Sequence, residues 1–138
     1  MTSTFDMQDL RYLNLFAQIT KVNTRYFFEY NNMLVFCVPR RLIKQALGQN
    51  AENLKKMSGI IGKRIRVVAQ PNGVEDAREF IERVVSPLTF NDLEITVNEI
   101  IMNAGRMNKA LLIGREKRRL IEMQNIIKYF FKREFRIV

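Results

Sequence analysis

Along residues 8–19 the apolar positions recur at helical spacing. Leu10, Leu13, Phe16 and Ala17 share one face, and Asp6 and Asp9 place acidic charge near the start. That pattern predicts an amphipathic helix. Residues 22–30 and 33–38 are instead dense in aromatic and β-branched side chains, which predicts two strands. Between them Asn31-Asn32 tolerates the positive φ of a tight hairpin turn. Pro39 ends the second strand and suits the approach to a helix. Helical spacing returns over 40–47, with Leu42, Ile43, Ala46 and Leu47 turned inward, and breaks at Gly48. It resumes over 51–60, where Leu54, Met57 and Ile60 form the expected buried stripe, and Gly62 is placed to end the helix in left-handed geometry. A strand over 64–69 follows, alternating Arg64 and Arg66 with Ile65 and Val67.

The same order then recurs. Setting Gly48 against Gly114 brings Leu54 onto Leu120, Met57 onto Met123, Ile60 onto Ile126 and Ile61 onto Ile127. Upstream, Ala77, Phe80, Ile81, Val84 and Val85 predict a helix over 75–85. Strands follow near 92–97, with Leu93, Ile95 and Val97 alternating, and over 99–103. Helices over 106–113 and 116–131, broken at Gly114, precede a last strand over 134–138. Each copy therefore reads helix, strand, strand, helix, helix, strand. The boundaries fall at 1–70 and 74–138, around the short linker Gln70-Pro71-Asn72-Gly73.

Charge sharpens this picture. The chain of 138 residues carries a net +9, a frequent footprint of nucleic-acid binding. The charge is not scattered. Residues 39–70 hold eight basic groups against one acidic, and residues 106–138 hold ten against three, a net of +7 in each. Residues 1–38 are neutral, and residues 71–105 carry two basic groups against seven acidic, a net of −5. Both basic blocks thus fall on the helix–glycine–helix part of a repeat.

Composition narrows the chemistry. There is no histidine and one cysteine, Cys37, so histidine-based triads, the usual zinc sets and an intrachain disulfide are excluded. A carboxylate-only or lysine-based site is left open by the composition, but no pattern in the chain points to one, and the expectation is a binding protein, not an enzyme, with no cofactor and no small-molecule substrate. No apolar run approaches the roughly 20 residues needed to cross a bilayer, and the opening residues lack the charged start and apolar stretch of a secretion signal. The expectation is a soluble cytoplasmic protein without a membrane partner. Cys37 alternates with Val35 and Met33 and reads as a buried thiol. Phe27, Phe28 and Phe36 read as core, although such rings can stack bases. Glu75, Asp76, Glu79 and Glu82 read as a solvated helix face.

The candidate chemistry lies at the two breaks. A helix N-terminus offers unpaired amides and a positive dipole end to a phosphate, provided small residues let it approach. The first loop is Gly48-Gln49-Asn50-Ala51, with Lys44, Lys55 and Lys56 within reach of a bound backbone and Arg40 and Arg41 extending the patch. It is a Gly-x-x-Gly loop with alanine at the close, and such loops clamp about four nucleotides of backbone in KH domains. The second loop is Gly114-Arg115-Glu116-Lys117, followed by Arg118. There lysine replaces the closing glycine and Glu116 opposes a phosphate, so RNA is gripped through side chains or held poorly. Helix-stop glycine is the alternative for Gly48 and Gly114. A DNA-binding helix-turn-helix uses the same parts, but the flanking strands must form a sheet beside the helices and argue against it.

Several segments together resemble the archaeal NusA-like transcription factors. These are Asp9-Leu10-Arg11-Tyr12-Leu13-Asn14-Leu15-Phe16, Ala46-Leu47-Gly48 with Glu52-Asn53, Gly62-Lys63-Arg64-Ile65-Arg66-Val67-Val68, and Glu79-Phe80-Ile81 leading to Ser86-Pro87. The resemblance spans nearly the whole chain. It implies an α+β fold of two tandem type II KH domains, each a three-stranded sheet with helices on one face. It further implies single-stranded RNA as a ligand, RNA polymerase as a partner, and a role in transcription elongation, termination or antitermination. Ala51 and Lys117 depart from the closing glycines of that family's loops. A protein-interaction module on polymerase or a ribosomal particle, with little RNA binding, is the alternative function.

Overall fold

The computed structural model describes residues 6–138, and the chain divides into two compact units between Gln70 and Pro71. Residues 1–5, which carry part of the reading of the opening segment, lie outside the described residues.

In the first unit helix α1 spans Met7–Thr20. Asp6 caps it: its carboxylate accepts the Asp9 N–H while the Asp9 carboxylate accepts the Asp6 N–H, a reciprocal capping box. Lys21 ends the helix in left-handed geometry. The predicted strand over 22–30 is shorter than expected, with β1 spanning Tyr26–Tyr30. The segment before it is held by side chains instead, with the Thr20 hydroxyl accepting the Val22 N–H and the Thr24 hydroxyl accepting the Tyr26 N–H. Asn31 and Asn32 both take positive φ and turn the chain into β2, Met33–Val38. A 3-10 turn, Arg40–Leu42, leads to α2, Ile43–Leu47. A second such turn, Gln49–Ala51, leads to α3, Glu52–Ile61. Gly62 ends α3 at φ +83° and β3 spans Arg64–Ala69. β1 and β2 pair antiparallel, β2 and β3 parallel, and β2 is the central strand.

The core of this unit lies between the sheet and its helices. Phe16 of α1 stacks on Phe36 at 4.3 Å between ring centroids, and Phe27 stacks on Phe36 at 5.3 Å. Leu34, Val38, Ala46 and Met57 complete the cluster. Phe27, Phe28 and Phe36 are all buried, so they are core rather than base-stacking surface. Cys37 is fully buried in β2, and burial pushes its thiol well above the ordinary range. Two expected core positions are corrected. Leu10 and Ile60 are exposed, because Phe16 carries the buried face of α1 and because Ile61, one turn after Met57, takes the inward place on α3.

The second unit repeats the order. A 3-10 turn, Val74–Asp76, opens α4, Ala77–Val85. β4 (Asp92–Ile95) pairs antiparallel with β5 (Glu99–Asn103), and β5 pairs parallel with β6 (Glu134–Ile137). α5 covers Gly105–Ile113, and a 3-10 turn, Arg115–Lys117, leads to α6, Arg118–Phe131. The alternation over 92–97 does not mark a buried face. Ile95 and Val97 are exposed, and the strand ends where the Thr96 hydroxyl accepts the Glu99 N–H. Phe80 contacts the rings of Phe130 and Phe131, so the extra turn of α6 supplies aromatic core. The expected fold class is the one observed. Two α+β units, each a three-stranded sheet with helix–turn–helix inserted before the last strand, make two tandem KH-like domains.

Candidate nucleic-acid interface

The two glycine corners adopt the same backbone path. Gly48 sits at φ 74°, ψ 177° and Gly114 at φ 78°, ψ 166°, a region essentially restricted to glycine. Two residues later Asn50 (φ 56°) matches Glu116 (φ 56°), and then Ala51 (φ 57°) matches Lys117 (φ 62°). A Cβ on Gly48 would fall 2.9 Å from Asn53 Cγ, and one on Gly114 would fall 2.7 Å from Arg119 Cγ. Both glycines are therefore required by the fold itself, whatever binds there. Sequence reasoning placed Ala51 in helical geometry for close approach. The structure corrects this: Ala51 and Lys117 are left-handed, the conformation in which a closing glycine would be unstrained.

The expected supply of free helix amides is also smaller than anticipated. Gly48 N–H donates to Lys44 O, Ala51 N–H to Gly48 O and Glu52 N–H to Gln49 O. The second corner repeats this with Gly114 to Ala110, Lys117 to Gly114 and Arg118 to Arg115. Among the described residues, the N–H groups of the loop tips, Gln49 and Asn50 in one unit and Arg115 and Glu116 in the other, meet no protein acceptor. The tips therefore offer amides to a phosphate.

The first corner opens onto a groove of about 630 Å³. One wall is a single face of α3, with Ala51, Leu54, Lys55, Ser58 and Gly59, and the other is β3, with Arg64, Ile65 and Arg66, closed at one end by Met33. Leu54, Ile65 and Met33 make the lining partly apolar, and Lys55, Arg64 and Arg66 add positive charge. Burial, reinforced by the neighbouring Arg64 charge and opposed by Tyr30, pulls the Arg66 guanidinium below its ordinary value. It stays cationic at neutral pH. Arg64 is braced by a bond to Asn31 O at 3.0 Å. Asn53 fixes the corner, donating from its amide to Gln45 O and Ala46 O, both at 3.2 Å.

The predicted site residues fall around this groove. Ala51 and Lys55 line it, Gln49 and Asn50 are exposed at the tip, and Lys44 and Lys56 are exposed on α2 and α3 outside the lining. Lys44, Lys55 and Lys56 have no ion-pair partner among the described residues, which leaves them available to an anion. Sequence reasoning missed Leu54, Ser58, Gly59, Ile65, Arg64 and Arg66 as groove residues. The spacing 51, 54, 55, 58, 59 is one helical face and could have revealed them.

The second corner differs. Arg115, Lys117 and Arg118 are exposed, but Arg118 is drawn to Glu116 at 3.7 Å. Gln124, at the position of Ser58, reaches across to β6 and donates to Phe135 O at 3.1 Å. Arg136, at the position of Arg66, is paired with Glu99 at 3.2 Å.

No family model matches the chain. Over 93 residues it is 26% identical to the "Probable transcription termination protein NusA" of Methanococcus vannielii, a match that takes in 67% of this chain and 52% of that protein. The chain thus spans about half the length of the curated relative it matches. The crystal structure of APE1850 superposes with a TM-score of 0.65 at 21% identity, covering 97% of this chain and 99% of that one, which establishes a shared fold. Among the described residues no helix is long and apolar enough to cross a membrane.

Proposed function

We propose that this chain is a NusA-like RNA-binding protein that holds single-stranded RNA in the groove of its first unit. The observation that carries this reading is the coincidence, at one corner, of open loop amides, a groove with Leu54, Ile65 and Met33 in its lining, and exposed lysines on α2 and α3 without an ion-pair partner among the described residues. Phosphates sit at the Gln49–Asn50 tip, steered by Lys44, Lys55 and Lys56, and bases enter between α3 and β3. Gly48 and Ala51 shape the corner. At the second corner Gly114 plays the same shaping part, and Arg115, Lys117 and Arg118 add side-chain contacts to phosphate.

The likeness to a transcription termination protein supports a role in elongation, termination or antitermination, with RNA polymerase as the partner and the cytoplasm as the place of action. The protein acts by binding and has no enzymatic step or cofactor. Reversing charge in Lys55→Glu with Lys56→Glu, measured by fluorescence titration with a short unstructured RNA, is expected to weaken binding by about 100-fold or more at moderate salt. The wild-type affinity is expected to fall steeply with salt. Affinity unchanged by the reversal would remove the first groove as the site.

A further inference from the structure

Gly59 stands in the interior of α3 without any reason in the fold to be glycine. Its φ is not left-handed, and a Cβ placed on it would meet nothing within 4 Å. Gly48 and Gly62 differ from it, since both need positive φ. A glycine within a helix destabilises it by about 0.5–1 kcal/mol relative to alanine, so this position weakens α3 with no packing gain in return.

Its location supplies the missing reason. Gly59 lies on the groove wall, eight residues and so about 12 Å along α3 from Ala51 at the loop. The adjacent Ser58 does not fill the space, because its hydroxyl is turned to Lys63 O at 2.8 Å. Gly59 thus leaves exposed helix backbone in a lining that also holds Ile65 and Arg66. The second unit carries Gln124 and Asn125 at these positions, and Gln124 spans to the opposite strand. The longer side chain at this point goes with a tie between helix and strand that the first unit lacks at Ser58, whose hydroxyl bonds Lys63 O instead.

We propose that Gly59 is a positioning residue for the bound RNA: it lets a base lie flat against the backbone of α3, beyond the phosphates held at the loop. The inference rests on the reading of the groove as an RNA site. Leu54 and Ile65 in the same lining suit the face of a base, and Lys55, Arg64 and Arg66 suit its phosphates. The residue limits how far the base can settle and thereby how tightly the strand is held.

Gly59→Ala and Gly59→Gln test this in the full chain, both introducing good helix formers. Urea denaturation and fluorescence titration with labelled oligouridine are measured on the same samples. The expected result is a higher denaturation midpoint for Gly59→Ala, with binding weakened about fivefold for alanine and about 50-fold for glutamine. A Gly59→Gln protein that binds as the wild type does, while the Lys55 and Lys56 reversals still abolish binding, would overturn this inference and leave the RNA reading standing. A wild-type protein without affinity for the oligonucleotide would overturn both.

Discussion

Ala51 and Lys117 each hold a left-handed backbone that costs an L-residue with a Cβ roughly 1–2 kcal/mol. Glycine there would remove the strain and return part of the gain as unfolded-chain entropy. Ala51→Gly is therefore expected to raise stability by about 1 kcal/mol in urea denaturation, and Lys117→Gly by a similar amount. Gly48→Ala and Gly114→Ala should do the opposite, each lowering stability by about 2 kcal/mol or more, since both positions are glycine-only in φ and ψ and have no room for a Cβ. A Gly48→Ala protein as stable as the wild type would contradict the corner geometry. The glycines were legible in the sequence as a repeated break. The handedness of the residues closing each loop was not, because alanine and lysine carry no signature of positive φ.

At the scale of elements, the two helix–turn–helix units share a backbone and differ in what crosses the space beside them. In the first, α3 and β3 are separated by an open groove. In the second, Gln124 ties α6 to Phe135 O of β6. Gln124→Ser with Asn125→Gly removes that tie and reproduces the Ser58-Gly59 pair. In a protein whose first groove is disabled by Lys55→Glu and Lys56→Glu, this replacement is expected to restore about tenfold in affinity for single-stranded RNA. No recovery would mean that the second corner lacks more than an open groove, with the Arg136–Glu99 pair as the next difference to address. Element order and type were readable from periodicity in both units, because the α helices and the aromatic-rich hairpin have strong local signals. Residues 22–25 read as strand from the aromatic and β-branched content of 22–30, and residues 96–97 from the alternation of Leu93, Ile95 and Val97. Threonine side chains at 24 and 96 instead bond the neighbouring backbone and leave these residues outside the ladder. The groove was illegible because its walls come from α3 and β3 together, a pairing that no local pattern encodes.

For the whole molecule, the proposed function makes the charge blocks seen in the sequence the surfaces that receive RNA. They do not say which corner accepts bases. The net +7 of residues 39–70 matches the +7 of residues 106–138; beside the first block lies an open groove, and beside the second Gln124 ties helix to strand. The account therefore predicts unequal use of two similar units. Photocrosslinking of RNA carrying 4-thiouridine, followed by peptide mapping, examines this most directly. Crosslinks are expected on residues 51–59 and 64–66, with those on 114–125 limited to side chains near Arg115 and Lys117. Crosslinks concentrated on 114–125 or on β4, with the 51–59 peptide unmodified, would contradict the assignment of the first groove as the place where RNA bases bind.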